Sequence, residues 1–134
     1  MDLTDAPLFT DVHPGPDGGA AHWAMTSDNK RVRVGHWPLA GAKGTVLLFP
    51  GRTEYIEKYG VTASEFAQRG LAMIAIDWRG QGLADRLLSD PLVGHVDAFS
   101  DYQKDVAAMM RAARALNLPR PYFLVAHSMG GCIG

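Results

Sequence analysis

Three short apolar runs do most to restrict the fold of this chain: GTVLLFP (44–50), LAMIAID (71–77) and YFLVAH (122–127). Each is apolar at successive positions instead of alternate ones. Strands of that kind are buried on both faces, the habit of a parallel sheet covered by helices. The stretches between them carry helical spacing. Across 55–69, Ile56, Tyr59, Ala63, Phe66 and Ala67 recur at helical intervals, and Gly70 suits a C-terminal stop. Further on, Phe99, Tyr102, Val106, Met109, Met110, Ala113 and Leu116 trace one helical face. Ser100 followed by Gln103 has the form of a capping box, Asp101 favours the positive helix start, and Pro119 ends the helix. Strand, helix, strand, helix, strand predicts an α/β fold with a mostly parallel sheet and right-handed crossovers.

Upstream, AHWAMTSDNKRVRVGHWPL reads as a hairpin with SDNK at its turn. In its second strand Val32, Val34 and His36 alternate with Arg31, Arg33 and Gly35, the period-2 pattern of a half-exposed strand. Residues 1–19 include HPGPDGG, too rich in Pro and Gly for regular structure, and form an N-terminal arm ahead of a domain portion spanning 20–134. A net charge of -1 gives no electrostatic pull toward nucleic acid. The single Cys132 forms no internal disulfide, and its place after the last strand suits a small core residue. No 18-residue apolar window and no basic-then-apolar leader are present, so a cytoplasmic location is expected.

The last run leads into AHSMGGCIG. A serine on a tight turn between a buried strand and a helix projects its hydroxyl above the sheet, where a base and oxyanion donors can reach it. Such a turn needs small residues two before and two after the serine, and Ala126 and Gly130 stand there around His127 and Ser128. The alternative reading of Ser128 is a helix cap after a core strand.

Taken together, LLFPGRTEYIEKYG, DWRGQG, GHVDAFSDYQKDV and AHSMGG resemble, in that order, the α/β-hydrolase superfamily. The likeness is to its lysophospholipase and monoacylglycerol-lipase-like (serine aminopeptidase S33-type) branch, over about 44–134. PGRTEY stands where that family has His-Gly-x-Gly-Glu-His, DWRGQG matches its Asp-x-x-Gly-x-Gly turn, and AHSMGG matches its Gly-His-Ser-Met-Gly-Gly elbow except at the first residue. The resemblance implies Ser128 as catalytic nucleophile, and backbone N–H groups of Arg52 and Met129 as the oxyanion hole. Ala126, His127 and Gly130 would shape the elbow, with Glu54 and Tyr55 as substrate-site wall. It implies a lipid-like ester substrate, an acyl-enzyme intermediate, transient contact with a membrane surface, and neither cofactor nor metal. The Arg52 cation would favour an anionic head group.

The family's order is Ser, then acid, then His, so both partners of Ser128 are expected beyond Gly134. The chain then reads as the N-terminal portion of a hydrolase, inactive alone. His127 neighbours the serine but would point to the opposite face, and His95 reads as a loop brace. His13, His22 and His36 lack metal-ligand spacing. Asp77 and Arg79 read as parts of a structural turn, and LADRLLSDPLVG (83–94) either lines the substrate entrance or is plain surface. Two other functions compete. One is a non-catalytic truncated chain that binds a partner or an acyl ligand. The other is a nucleotide-binding α/β domain, against which the absence of G-x-G-x-x-G and Walker spacing argues.

Overall fold

The three apolar runs become β4 (Thr45–Phe49), β5 (Ala72–Asp77) and β6 (Tyr122–Ala126), and they are parallel to one another. The computed structural model describes residues 3–88 and 94–134. Among these, β1 (Thr4–Ala6), β2 (Ala20–Met25) and β3 (Arg31–Trp37) extend the sheet on the β5 side as antiparallel neighbours. The order across the sheet is β1-β2-β3-β5-β4-β6. Ahead of the glycine-rich segment, the N-terminal arm adds the short edge strand β1. HPGPDGG itself forms no helix or strand.

β4 lies between β5 and β6, and the chain passes from β4 to β5 and then back across β4 to β6. The first crossover carries α1 (Gly60–Gln68) and the second α2 (Tyr102–Ala115). Reversing direction while keeping one handedness forces the two helices onto opposite faces, and the core divides accordingly. Val46, Leu48, Met73 and Ala75 pack with Ile56 and Ala63 on the α1 face. Leu47, Phe49, Ile74 and Ile76 pack with Met109, Ala112 and Ala113 on the α2 face. Alternation along each strand therefore serves two cores, which is why these strands read as unbroken apolar runs.

Several local expectations change. The 55–69 segment starts as a 3-10 turn, Ile56–Tyr59, and becomes α-helical only at Gly60. No capping box forms: Asp101 is the N-cap of α2 without a side-chain cap bond, and a 3-10 turn at Phe99–Asp101 precedes it. Gln103 Nε2 instead donates to the carbonyl of Ile133, tying α2 to α3 (Met129–Ile133). Phe99 is exposed, not part of the buried face, while Asp105 is buried on it. α2 stops at Ala115, with Asn117 in the left-handed region (φ 56°) before Pro119 is reached.

β3 departs most from its half-exposed reading, because the α2-side core covers one of its faces, and the arm and the Ile56–Tyr59 turn cover the other. Arg33 is buried and donates from Nε to Asp77 Oδ2 at 2.8 Å, and from both terminal nitrogens to Glu57 at 2.7 and 2.6 Å. Asp77 also accepts the N–H groups of Ile56 and Leu83 at 3.0 Å each. A second buried cation, Arg79, pairs with Asp105 at 2.8 Å and with Asp28 of the β2–β3 turn at 2.8 Å. These two arginines clamp the loops that leave the C-terminal ends of the strands.

Candidate active site

β4 and β6 run side by side into helices on opposite faces. Ile133 of α3 joins the α2-side core, while the turn after β4 leads to α1. A sheet opens where neighbouring strands diverge in this way, and α/β folds place their ligand sites there. Pro50–Gly51–Arg52 leaves β4 at this point, and Ala126–His127–Ser128 leaves β6 beside it. The two are bonded directly, His127 N–H donating to the Phe49 carbonyl at 3.0 Å.

Ser128 has φ 53° and ψ -116°, a conformation that an ordinary L-residue avoids. It turns the chain from strand to helix in one residue and leaves Ser128 exposed. Its hydroxyl makes no side-chain cap bond to α3, so the capping alternative is not realised. The turn is tight enough to demand glycine two residues later. A Cβ on Gly130 would collide with the carbonyl groups of Phe49 and Pro50. The N–H of Gly130 donates to the His127 carbonyl at 3.0 Å, and that of Gly131 to the Ser128 carbonyl at 2.9 Å. Met129 begins α3, so its N–H has no acceptor within the helix.

The loop after β4 is braced from both sides. Trp78 Nε1 donates to the Pro50 carbonyl at 2.9 Å while its ring packs edge-on against Phe49 and Tyr102. Glu54, buried under the loop, accepts the Gly51 N–H, Tyr59 Oη–H at 2.6 Å and the Lys58 ammonium, with His127 Nδ1 3.1 Å away. Burial pushes its carboxyl up. Donation from Lys58, Tyr59, Gly51 and His127 outweighs that and holds its pKa at about 2. The same carboxylate, on top of burial, pushes the Tyr59 hydroxyl up. Glu54 is thus a brace as well as a wall residue. Its side chain links the β4 loop to the elbow, a role that sequence reading assigned to wall lining alone.

A cavity of about 320 Å³ lies next to this loop, with Arg52, Glu54 and Tyr55 on its wall. Its far side is made by Gln81, Arg86 and Gly94, which sequence reading did not single out as site residues. Their only signal was position, in loops following a strand end. Ser128 is not on that wall. Of the 83–94 stretch, residues 89–93 lie outside the described residues, while Arg86 and Gly94 reach the cavity.

Each histidine has a neighbour other than Ser128. His127, 65% exposed at its side chain, reaches Glu54 instead of turning to the far face of the sheet. His95 Nε2 lies 2.8 Å from Asp97, His13 Nε2 lies 3.0 Å from the Tyr55 hydroxyl, and His22 and His36 stack in β2 and β3. Asp77 and Arg79 serve the buried clamps, as their structural reading expected. Cys132 is exposed and not a core residue, because α3 presents Gly130 and Ile133 to the sheet. Among the described residues no helix is long and apolar enough to cross a membrane.

Known proteins resemble this chain in sequence and fold. Lysophospholipase L2 of Escherichia coli K12 is 42% identical over 88 residues, covering 66% of this chain and 26% of the relative. The chain thus spans about a quarter of the length of that relative. A soluble variant of monoglyceride lipase from Saccharomyces cerevisiae, solved with a substrate analogue, superposes with a TM-score of 0.60 at 26% identity, over 82% of this chain and 36% of that one. A putative acyltransferase from Salmonella enterica shares the fold at TM-score 0.66 and 21% identity, over 100% of this chain and 40% of the other. The family model for serine aminopeptidase, S33, matches residues 40–134, from the strand before the braced loop through the elbow, and this chain belongs to that α/β-hydrolase family.

Proposed function

We propose that this chain carries the nucleophile and oxyanion hole of a serine-dependent carboxylic-ester hydrolase of the lysophospholipase or monoacylglycerol-lipase type. One observation carries the reading: Ser128 holds a strained φ of 53° at a strand–helix junction, its turn packed on the loop that presents Arg52. Strain of this kind persists only where surrounding structure imposes it, and here it lifts a hydroxyl to the open switch point of the sheet.

In the proposed reaction Ser128 Oγ attacks the ester carbonyl carbon and its proton passes to a general base. The carbonyl oxygen gains the charge and is held by the N–H groups of Arg52 and Met129. Collapse expels the alcohol, which takes that proton, and leaves the acyl group on Oγ. Water then attacks the acyl-enzyme and releases the carboxylic acid. Glu54 would act as a positioning residue, since its bonds to Gly51 and His127 tie the two donor-bearing turns together. The five histidines being engaged elsewhere, the base and its acid partner would come from the remainder of the relatives' length. The chain by itself would then bind but not turn over ester.

A fluorophosphonate probe tests this in the full-length protein. The expected result is a single adduct on Ser128, absent in Ser128→Ala. An unlabelled Ser128 in a protein that carries the rest of the relatives' length would overturn the reading.

A further inference from the structure

The cavity beside the Arg52 loop has a donor-lined wall that ester chemistry does not use. Gln81 is 4% exposed, and its Oε1 accepts the Thr53 N–H at 2.8 Å. Only the oxygen of an amide can accept, so this bond fixes which way the side chain faces. Its NH2 is turned away from Thr53 and has no partner among the described residues. Arg86 repeats the pattern: Nη2 donates to the Gly82 carbonyl at 2.7 Å, while Nη1 is buried and has no partner among the described residues. A buried donor left unmet costs about 1–3 kcal/mol, more when charged, so two on one cavity wall call for an acceptor.

A third donor stands with them. A Cβ built on Gly94 would collide with Gln81 Nε2 and lie 3.7 Å from Arg52 Nη2, so both nitrogens lie close to Gly94 on the same cavity wall. The acid on the same wall is spoken for, because Glu54 is held by Gly51, Lys58, Tyr59 and His127. What remains is a set of donors, two of them guanidinium groups, which suits a ligand that is anionic and only accepts. The volume of about 320 Å³ accommodates a phosphate with a glycerol-sized substituent.

We propose that Arg52, Gln81 and Arg86 form a phosphate-ester subsite next to the acyl-transfer site. Resting on the hydrolase reading above, this subsite receives the head group of a lysophospholipid and disfavours an uncharged monoacylglycerol. Arg52 then has two roles, its N–H toward the ester and its side chain toward the head group.

Calorimetric titration of the full-length protein with sn-glycerol 3-phosphate, inorganic phosphate and glycerol tests the subsite without any turnover. Glycerol 3-phosphate is expected to saturate one site, and glycerol none. Gln81→Glu keeps the oxygen that Thr53 needs but puts a carboxylate where the donor was, and should weaken binding at least about tenfold. Arg52→Gln, an exposed position that leaves folding undisturbed, should weaken it by about tenfold as well. No saturation, or a Kd unmoved by both variants, overturns the subsite. Inorganic phosphate binding as tightly as the glycerol ester overturns the head-group assignment. Ser128→Ala should leave the Kd unchanged. A protein that binds the phosphate ester but leaves Ser128 unlabelled would sink the hydrolase reading alone, and the reverse result would sink the subsite alone.

Discussion

β5 and β6 have much the same apolar character in the sequence and different fates in the fold. Every residue of β5 is buried, whereas in β6 Phe123 is 46% exposed and Leu124 50% exposed. The difference is one of neighbours. β5 pairs with β3 on one side and β4 on the other, and lies beneath helices on both faces. Among the described residues β6 pairs only with β4. An apolar run states that a strand needs covering, and only its place in the sheet states how much cover it has. The elements of the candidate site divide in the same way, the braced β4 loop standing on the buried side and the elbow on the exposed one.

The largest effect should come from the clamp beneath β5. Arg33→Ala strands two buried carboxylates, Asp77 and Glu57, and should cost about 3–5 kcal/mol in urea unfolding. A loss below about 1 kcal/mol would mean that the β5 side is no better tied down than β6. A matched pair of truncations comes next. Ile76→Ala, in the closed core, is expected to cost about 2–5 kcal/mol, and Leu124→Ala, on the open strand, less than about 1 kcal/mol. Equal losses would break the contrast between the two strands.

An effect smaller than that of the clamp links the two sides through Glu54. Its pKa of about 2 lies below the ordinary carboxylate value of 4.5, so its contribution is complete above about pH 4.5 and is lost as pH falls toward 2. With a discount for solvent around half-exposed Lys58, the loss is on the order of 2 kcal/mol. Acid titration of stability should show it in the native protein and not in Glu54→Gln. A Gln variant with an unchanged acid limb would remove Glu54 as the brace between loop and elbow.

Much of this was open to reading from the chain. The unbroken runs at β4, β5 and β6, the helical spacing before Gly70, and the small residues around Ser128 express local rules of period and steric fit. Those rules act within a few residues, so they survive without knowledge of the fold. Arg33 shows where they stop. Alternation marked it as solvent-facing, yet it is buried, because Glu57 and Asp77 arrive from 24 and 44 residues away to neutralise it. Ser100 and Gln103 likewise had capping-box spacing, but a 3-10 turn and the Ile133 carbonyl claimed the segment.

The sequence by itself determined the α/β class and the position of the elbow, since both depend on period and turn sterics among near neighbours. Gly130, in contrast, is required by the Phe49 and Pro50 carbonyls that the sheet brings beside it. Only the tertiary structure decided that His127 would meet Glu54, that Gln81 would bond Thr53 on the wall of a cavity, and that Arg52 and Arg86 would share that wall. Those pairings join residues far apart in the chain, and their energies exist only once the sheet has brought the strand ends together.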